Sequence, residues 1–183
     1  MVERWERVKT FMRKLEHIIV IVYVVMFAFA FAFVEAAVVV YLRQLLGASV
    51  PTVNKNEILL LLPGIAFTQP QTALRIINDS DLLNVELIRE AATLVMLMSV
   101  ALLAGRRMGE KVAFFFLAFA VWDIFYYVFL RLTVGWPQSL TDIDTFFLLP
   151  VPWIGPVFVP ILISLFLIAS SLIYLVKGNY GKK

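Results

Sequence analysis

Four carboxylates and three arginines sit where lipid-facing sequence would not tolerate them, and they carry whatever chemistry this chain performs. Glu35, Glu86, Glu90 and Asp123 fall within or beside long apolar runs, together with Arg43, Arg89 and Arg131. An ionised side chain in hydrocarbon is costly, so such residues normally face a bundle interior or a wet cavity. Counted inward from the end of each run, Glu35 lies eight residues before Arg43 and Asp123 eight before Arg131, while Glu90 lies about five past Val85. At about 1.5 Å per residue all three acids share one half of the bundle. Glu86 and Glu90 are a turn apart on one face, with Arg89 three residues from Glu86. Oxygen ligands of this kind suit a hard cation, a proton or a polar head group.

A purely structural reading competes. Glu35, Glu90 and Asp123 would then pair with Arg43, Arg89 and Arg131 and fasten helices and loops together. Eight residues separate Glu35 from Arg43, and Asp123 from Arg131, by about 12 Å and about 80 degrees, so such pairs must form between helices or through a ligand. An enzymatic reading has one buried carboxyl donate a proton to a lipid or polyprenyl substrate and another accept it. No nucleophile with its base, no Glu-x-x-His pair and no phosphate-cradling glycine loop accompanies it.

The elements that would position these groups are four apolar stretches, about 18–42, 85–104, 112–132 and 154–176, each near the roughly 20 residues a membrane helix needs. Composition agrees: 62% of the residues are hydrophobic and mean hydropathy is +0.90, far above a soluble domain of this length. The first stretch lacks a signal-peptide cleavage site and is expected to stay as an uncleaved anchor. Basic residues gather before it (Arg4, Arg7, Lys9, Arg13, Lys14), between the second and third (Arg106, Arg107, Lys111) and after the fourth (Lys177, Lys182, Lys183). The loop from Gln44 to Asn84 holds only Lys55 and Arg75, and that from Thr133 to Trp153 holds neither Lys nor Arg. The positive-inside rule therefore puts both termini in the cytoplasm of a cell-membrane protein. The net charge of +3 follows from these flanks and is no nucleic-acid signature.

The chain also resembles itself. Phe33–Leu45 aligns with Val121–Thr133, matching Glu35 to Asp123 and Arg43 to Arg131; Gly47, Pro51 and the run from Glu57 to Pro63 then match Gly135, Pro137 and the run from Asp144 to Pro150. Both segments leave the cytoplasm, so the repeat is parallel, about an axis along the membrane normal. About twenty extra polar residues follow Pro63. The two apolar runs ending in Leu-Leu-Pro are too short to span, and are expected to lie in the outer interface or to re-enter the bilayer.

Other residues carry less. Zero cysteines exclude disulfides and thiolate metal sites. His17 reads as interfacial, the aromatic third stretch as packing and lipid contact, and Trp136 and Trp153 as an outer aromatic belt.

The sequence thus predicts an all-α integral membrane protein, one domain over 1–183, with a cytoplasmic N-terminus (1–17), repeat halves 18–104 and 112–176, and a cytoplasmic tail (177–183). Its expected role is binding or transport of a small ion or polar lipid-like ligand at Glu35, Glu86, Arg89, Glu90 and Asp123, with Arg43 and Arg131. The alternatives are an accessory subunit of a larger membrane complex and a membrane-embedded acid-base enzyme. The bilayer and either a second copy or partner membrane subunits are the expected partners. No cofactor is called for.

Overall fold

The computed structural model describes residues 2–46, 54–77 and 79–177. Five helices and four short strands follow one another: α1 (Val2–Leu46), β1 (Ile58–Leu62), β2 (Ile65–Thr68), α2 (Gln71–Ile76), α3 (Ser80–Ala104), α4 (Met108–Val134), β3 (Ile143–Phe147), β4 (Trp153–Pro156) and α5 (Phe158–Lys177). Four helical segments are long and apolar enough to cross a membrane: Leu15–Gln44 within α1, and all of α3, α4 and α5. Gly47, Pro51, Lys182 and Lys183, used in the sequence argument, lie outside the described residues.

Helix ends follow from local chemistry. Asp79 caps α3 by accepting from the amides of Asp81 and Leu82, both at 2.9 Å, which satisfies two of the donors a helix start leaves open. At the other end Gly105 accepts the turn into α4. The Arg106 amide donates to Glu110 at 2.9 Å. α4 stops at Gly135, whose φ of 71° is the left-handed conformation that ends many helices. Pro160 falls in the first turn of α5, where a missing N–H costs no helical bond, so it produces no interior break.

α4 is the central helix, packed by α1, α3 and α5. Along α1 the buried residues Val24, Ala28, Ala32 and Ala36 recur every four positions. Val24, Ala28 and Ala32 share one buried cluster with Leu117, Ala118 and Val121 of α4, and small residues in such a register favour close helix packing. Phe29 and Phe33 flank the seam and meet Phe125 and Phe129 edge-on at 4.7–5.3 Å. At the opposite end from the strands, Gly109 of α4 lies against the Tyr174 hydroxyl of α5 with no room for a side chain. His17 Nε2 lies 3.0 Å from the Leu175 carbonyl oxygen, so the lone histidine ties α1 to α5.

The strands correct the sequence reading. The apolar runs ending at Pro63 and Pro150 supply the first strands of two hairpins, joined in one antiparallel sheet of order β1-β2-β4-β3. The all-α expectation fails there, because runs of five residues are too short for a stable helix but long enough to pair, and pairing satisfies their backbone groups. The fourth apolar stretch was expected from Ile154, but Ile154 belongs to β4 and α5 begins at Phe158. β1 and β2 turn at Pro63-Gly64, where Gly64 has φ 83° and its α-carbon faces Val159 at the start of α5. The inner strands pair Ala66 with Ile154 and Phe67 with Trp153. Each hairpin breaks register once in its first strand, at Leu59 and at Phe146.

Candidate functional site

Between strand β3 of the sheet, the end of α2 and the adjoining ends of α1, α3 and α4 lies a cavity of about 420 Å³. Of the seven charged residues singled out in the sequence, six line it: Glu35 and Arg43 from α1, Glu86, Arg89 and Glu90 from α3, and Asp123 from α4. Arg131 does not. It is exposed at the end of α4 and donates to the carbonyl oxygens of Gly135 (2.6 Å) and Pro137 (3.0 Å), so its charge closes a helix terminus. Asp144, at the start of the second Leu-Leu-Pro run, adds a fifth carboxyl to the wall.

Arg89 is the hub. Its guanidinium donates to Glu35 across the helix interface and, through Nε (2.8 Å) and Nη2 (2.7 Å), to Glu86 Oε2 on its own helix. Glu35 also accepts from the Thr93 hydroxyl at 2.6 Å. The anticipated pairing of Glu35 with an arginine is therefore present, between helices as the geometry of a single helix requires.

The other acids find different partners from those expected. Glu90 accepts from the backbone amides of Leu148 (2.9 and 3.0 Å) and Leu149 (3.2 Å), pinning the β3–β4 connection to α3. Among the described residues Asp123 accepts only the Ser164 hydroxyl of α5, at 2.8 Å. Asp144 accepts from Tyr127 Oη at 3.1 Å and from Arg43 Nη2 at 3.4 Å. Arg43 in turn lies over the Trp136 ring, 4.0 Å from its centre. Burial pushes the Asp144 carboxyl up to about 6, against the opposing pull of the Arg43 guanidinium and the Tyr127 hydroxyl.

The wall thus holds five carboxyls against two guanidiniums. Glu35, Glu90 and Asp144 have both oxygens engaged by protein groups. Glu86 Oε1 and Asp123 Oδ1 accept nothing among the described residues, and neither does the Tyr126 hydroxyl pair with a protein group, although Asp144, Arg43, Arg89 and Glu35 all act on it electrostatically. Trp122 also lines the cavity, with its indole N–H buried and unpartnered. Among the described residues no three acids or histidines are grouped to hold a metal ion.

Sequence reasoning missed Asp144, Thr93, Tyr126 and Tyr127 as wall residues. One signal could have found Asp144, since it is the acid matched to Glu57 when the chain is aligned with itself. Asp123, Tyr126 and Tyr127 also share a helix face at three- and four-residue spacing. No protein-family model, curated protein or solved structure matches this chain.

Proposed function

We propose that the chain is an integral membrane protein, with both termini cytoplasmic and the four-stranded sheet outside, that binds or transports a small polar ligand in the cavity beneath that sheet. The observation that carries this reading is a cavity of about 420 Å³, within the range of small-molecule sites, where Asp123 and Glu86 each keep an oxygen free of protein partners. Neither oxygen is among the fully buried unpartnered atoms, so both are accessible, and both belong to residues of the cavity wall, as a ligand-binding role requires. Broad exposure of apolar side chains on α1 and α5, among them Met26, Phe33, Leu162 and Phe166, supports placement in lipid.

Glu35, Glu90 and Asp144 belong to a second, architectural role, favoured by the engagement of all their oxygens. They hold the vessel, and Asp123, Glu86 and Tyr126 face its contents. The two hairpins arise by duplication of a helix–hairpin–helix unit. Leu59 and Phe146, the residues where register breaks, each stand two positions after the aligned acids Glu57 and Asp144, which supports that origin.

Native mass spectrometry of the gently extracted protein tests the binding role. Wild type should retain a non-protein mass that Val39→Trp loses, because Val39 lines the cavity and an indole there takes up its space while every charged residue of the wall is kept. Wild type and Val39→Trp both folded and both free of any added mass would refute it.

A further inference from the structure

The geometry points to an organic ammonium group as the ligand, held in the cavity by the Asp123 carboxylate and the Tyr126 hydroxyl on one face of α4. The assignment rests on the ligand-binding reading of the same cavity and specifies its chemistry.

Charge is the first argument. Five carboxyls face two guanidiniums in the wall, and both guanidiniums are already committed, Arg89 to Glu35 and Glu86 and Arg43 to Asp144. Among the described residues no cation pairs with Asp123. It is 8% exposed, receives one hydroxyl hydrogen bond and leaves Oδ1 to the cavity. A buried carboxylate in that state gains most from a ligand that brings a positive charge with N–H donors.

Size and wall chemistry choose the kind of cation. A bare metal ion needs several oxygens converging at 2.0–2.6 Å, and no such group exists among the described residues. The space, about 420 Å³, fits an organic molecule. Its walls include the rings of Trp122, Tyr126, Tyr127 and Phe147, whose faces attract cations. Tyr126 stands three residues after Asp123, hence beside it on the helix, and its hydroxyl has no partner among the described residues. Carboxylate and phenol oxygen together accept from N–H groups, which favours a primary ammonium over a quaternary one. An amino head group of a membrane lipid and a free amine both present this chemistry.

The test uses the full chain. Purified protein in detergent is titrated calorimetrically with ethylamine hydrochloride and, for comparison, with sodium propionate. In parallel, protein in nanodiscs of equal phosphatidylethanolamine and phosphatidylglycerol is released for native mass spectrometry. Ethylammonium should bind and propionate should not. Asp123→Asn should weaken ethylammonium at least about tenfold, the usual loss for a charge-assisted hydrogen bond, and the milder Tyr126→Phe about threefold, which keeps the test valid if Asp123→Asn folds poorly. Selective retention of phosphatidylethanolamine identifies the source as a lipid head group; ethylammonium binding without it identifies a free amine. Propionate or phosphatidylglycerol binding that Val39→Trp abolishes would overturn the ammonium assignment and leave the binding cavity standing. Ethylammonium binding indifferent to both α4 variants would overturn it too. If neither charge binds and no mass is retained, the binding reading itself falls.

Discussion

At the scale of single residues the site divides by whether a charge has a protein partner. Arg89 serves two carboxylates, so Arg89→Met strips Glu35 and Glu86 of their cation together. Breaking a buried ion pair from one side costs about 3 kcal/mol or more; equilibrium unfolding in mixed micelles should show a loss of that order, and combining it with Glu35→Leu should recover part of it. Asp144 predicts a pH dependence of definite sign. Its carboxyl titrates near 6 when folded, above the ordinary value near 4, so the folded state holds the proton more tightly than the unfolded state. Its contribution is therefore most favourable below about pH 4 and is lost as pH rises through about 6. Thermal unfolding of wild type, compared with Asp144→Asn, should decline by on the order of 2 kcal/mol between pH 4 and 7; parallel curves for the two proteins would contradict it. Six of the seven charged residues read from sequence do line the cavity, because a charge in an apolar run has few places to go. Partners were less legible: Glu90 bonds to the backbone of a loop 58 residues away, and no side-chain spacing encodes a backbone donor.

At the scale of elements, the four apolar helices were readable from length and hydropathy alone, and the strands were not. Ile58–Leu62 is apolar at every position, without the alternation that marks a half-buried strand, and the sheet is completed only by the pairing of β2 with β4, whose partners lie 86 and 88 residues apart in the chain. What holds that sheet over the cavity is specific. Glu90→Ala leaves the amides of Leu148 and Leu149 without their acceptor, at a cost of about 1–3 kcal/mol. Hydrogen exchange at those two amides should accelerate well beyond that in α4, and unchanged protection would mean that Glu90 does not anchor the hairpin. The α1–α4 seam makes a separate prediction. Ala32 is fully buried there, and Ala32→Leu should destabilise by about 1–3 kcal/mol through overpacking, whereas the same change at the exposed Ala30 should be near neutral.

At the scale of the whole molecule, the basic residues Arg4, Arg7, Arg106, Arg107, Lys111 and Lys177 fall at one end of the helices and the sheet at the other, and this distribution underlies the proposed orientation. A chain with no cysteine is suited to testing it. Gln138→Cys, on the exposed segment before β3, should react with a membrane-impermeant thiol reagent added to intact cells, and Arg106→Cys, between α3 and α4, should react only after permeabilisation. With Gln138→Cys as the reference, the most direct measurement places the thiol inside the cavity, at Thr145 of β3. Added from outside, cationic aminoethyl methanethiosulfonate should modify Thr145→Cys, and faster than its anionic sulfonatoethyl counterpart, because the wall is predominantly carboxylate. A folded Thr145→Cys protein inert to both reagents, while Gln138→Cys reacts, would show a sealed structural cluster and contradict the account.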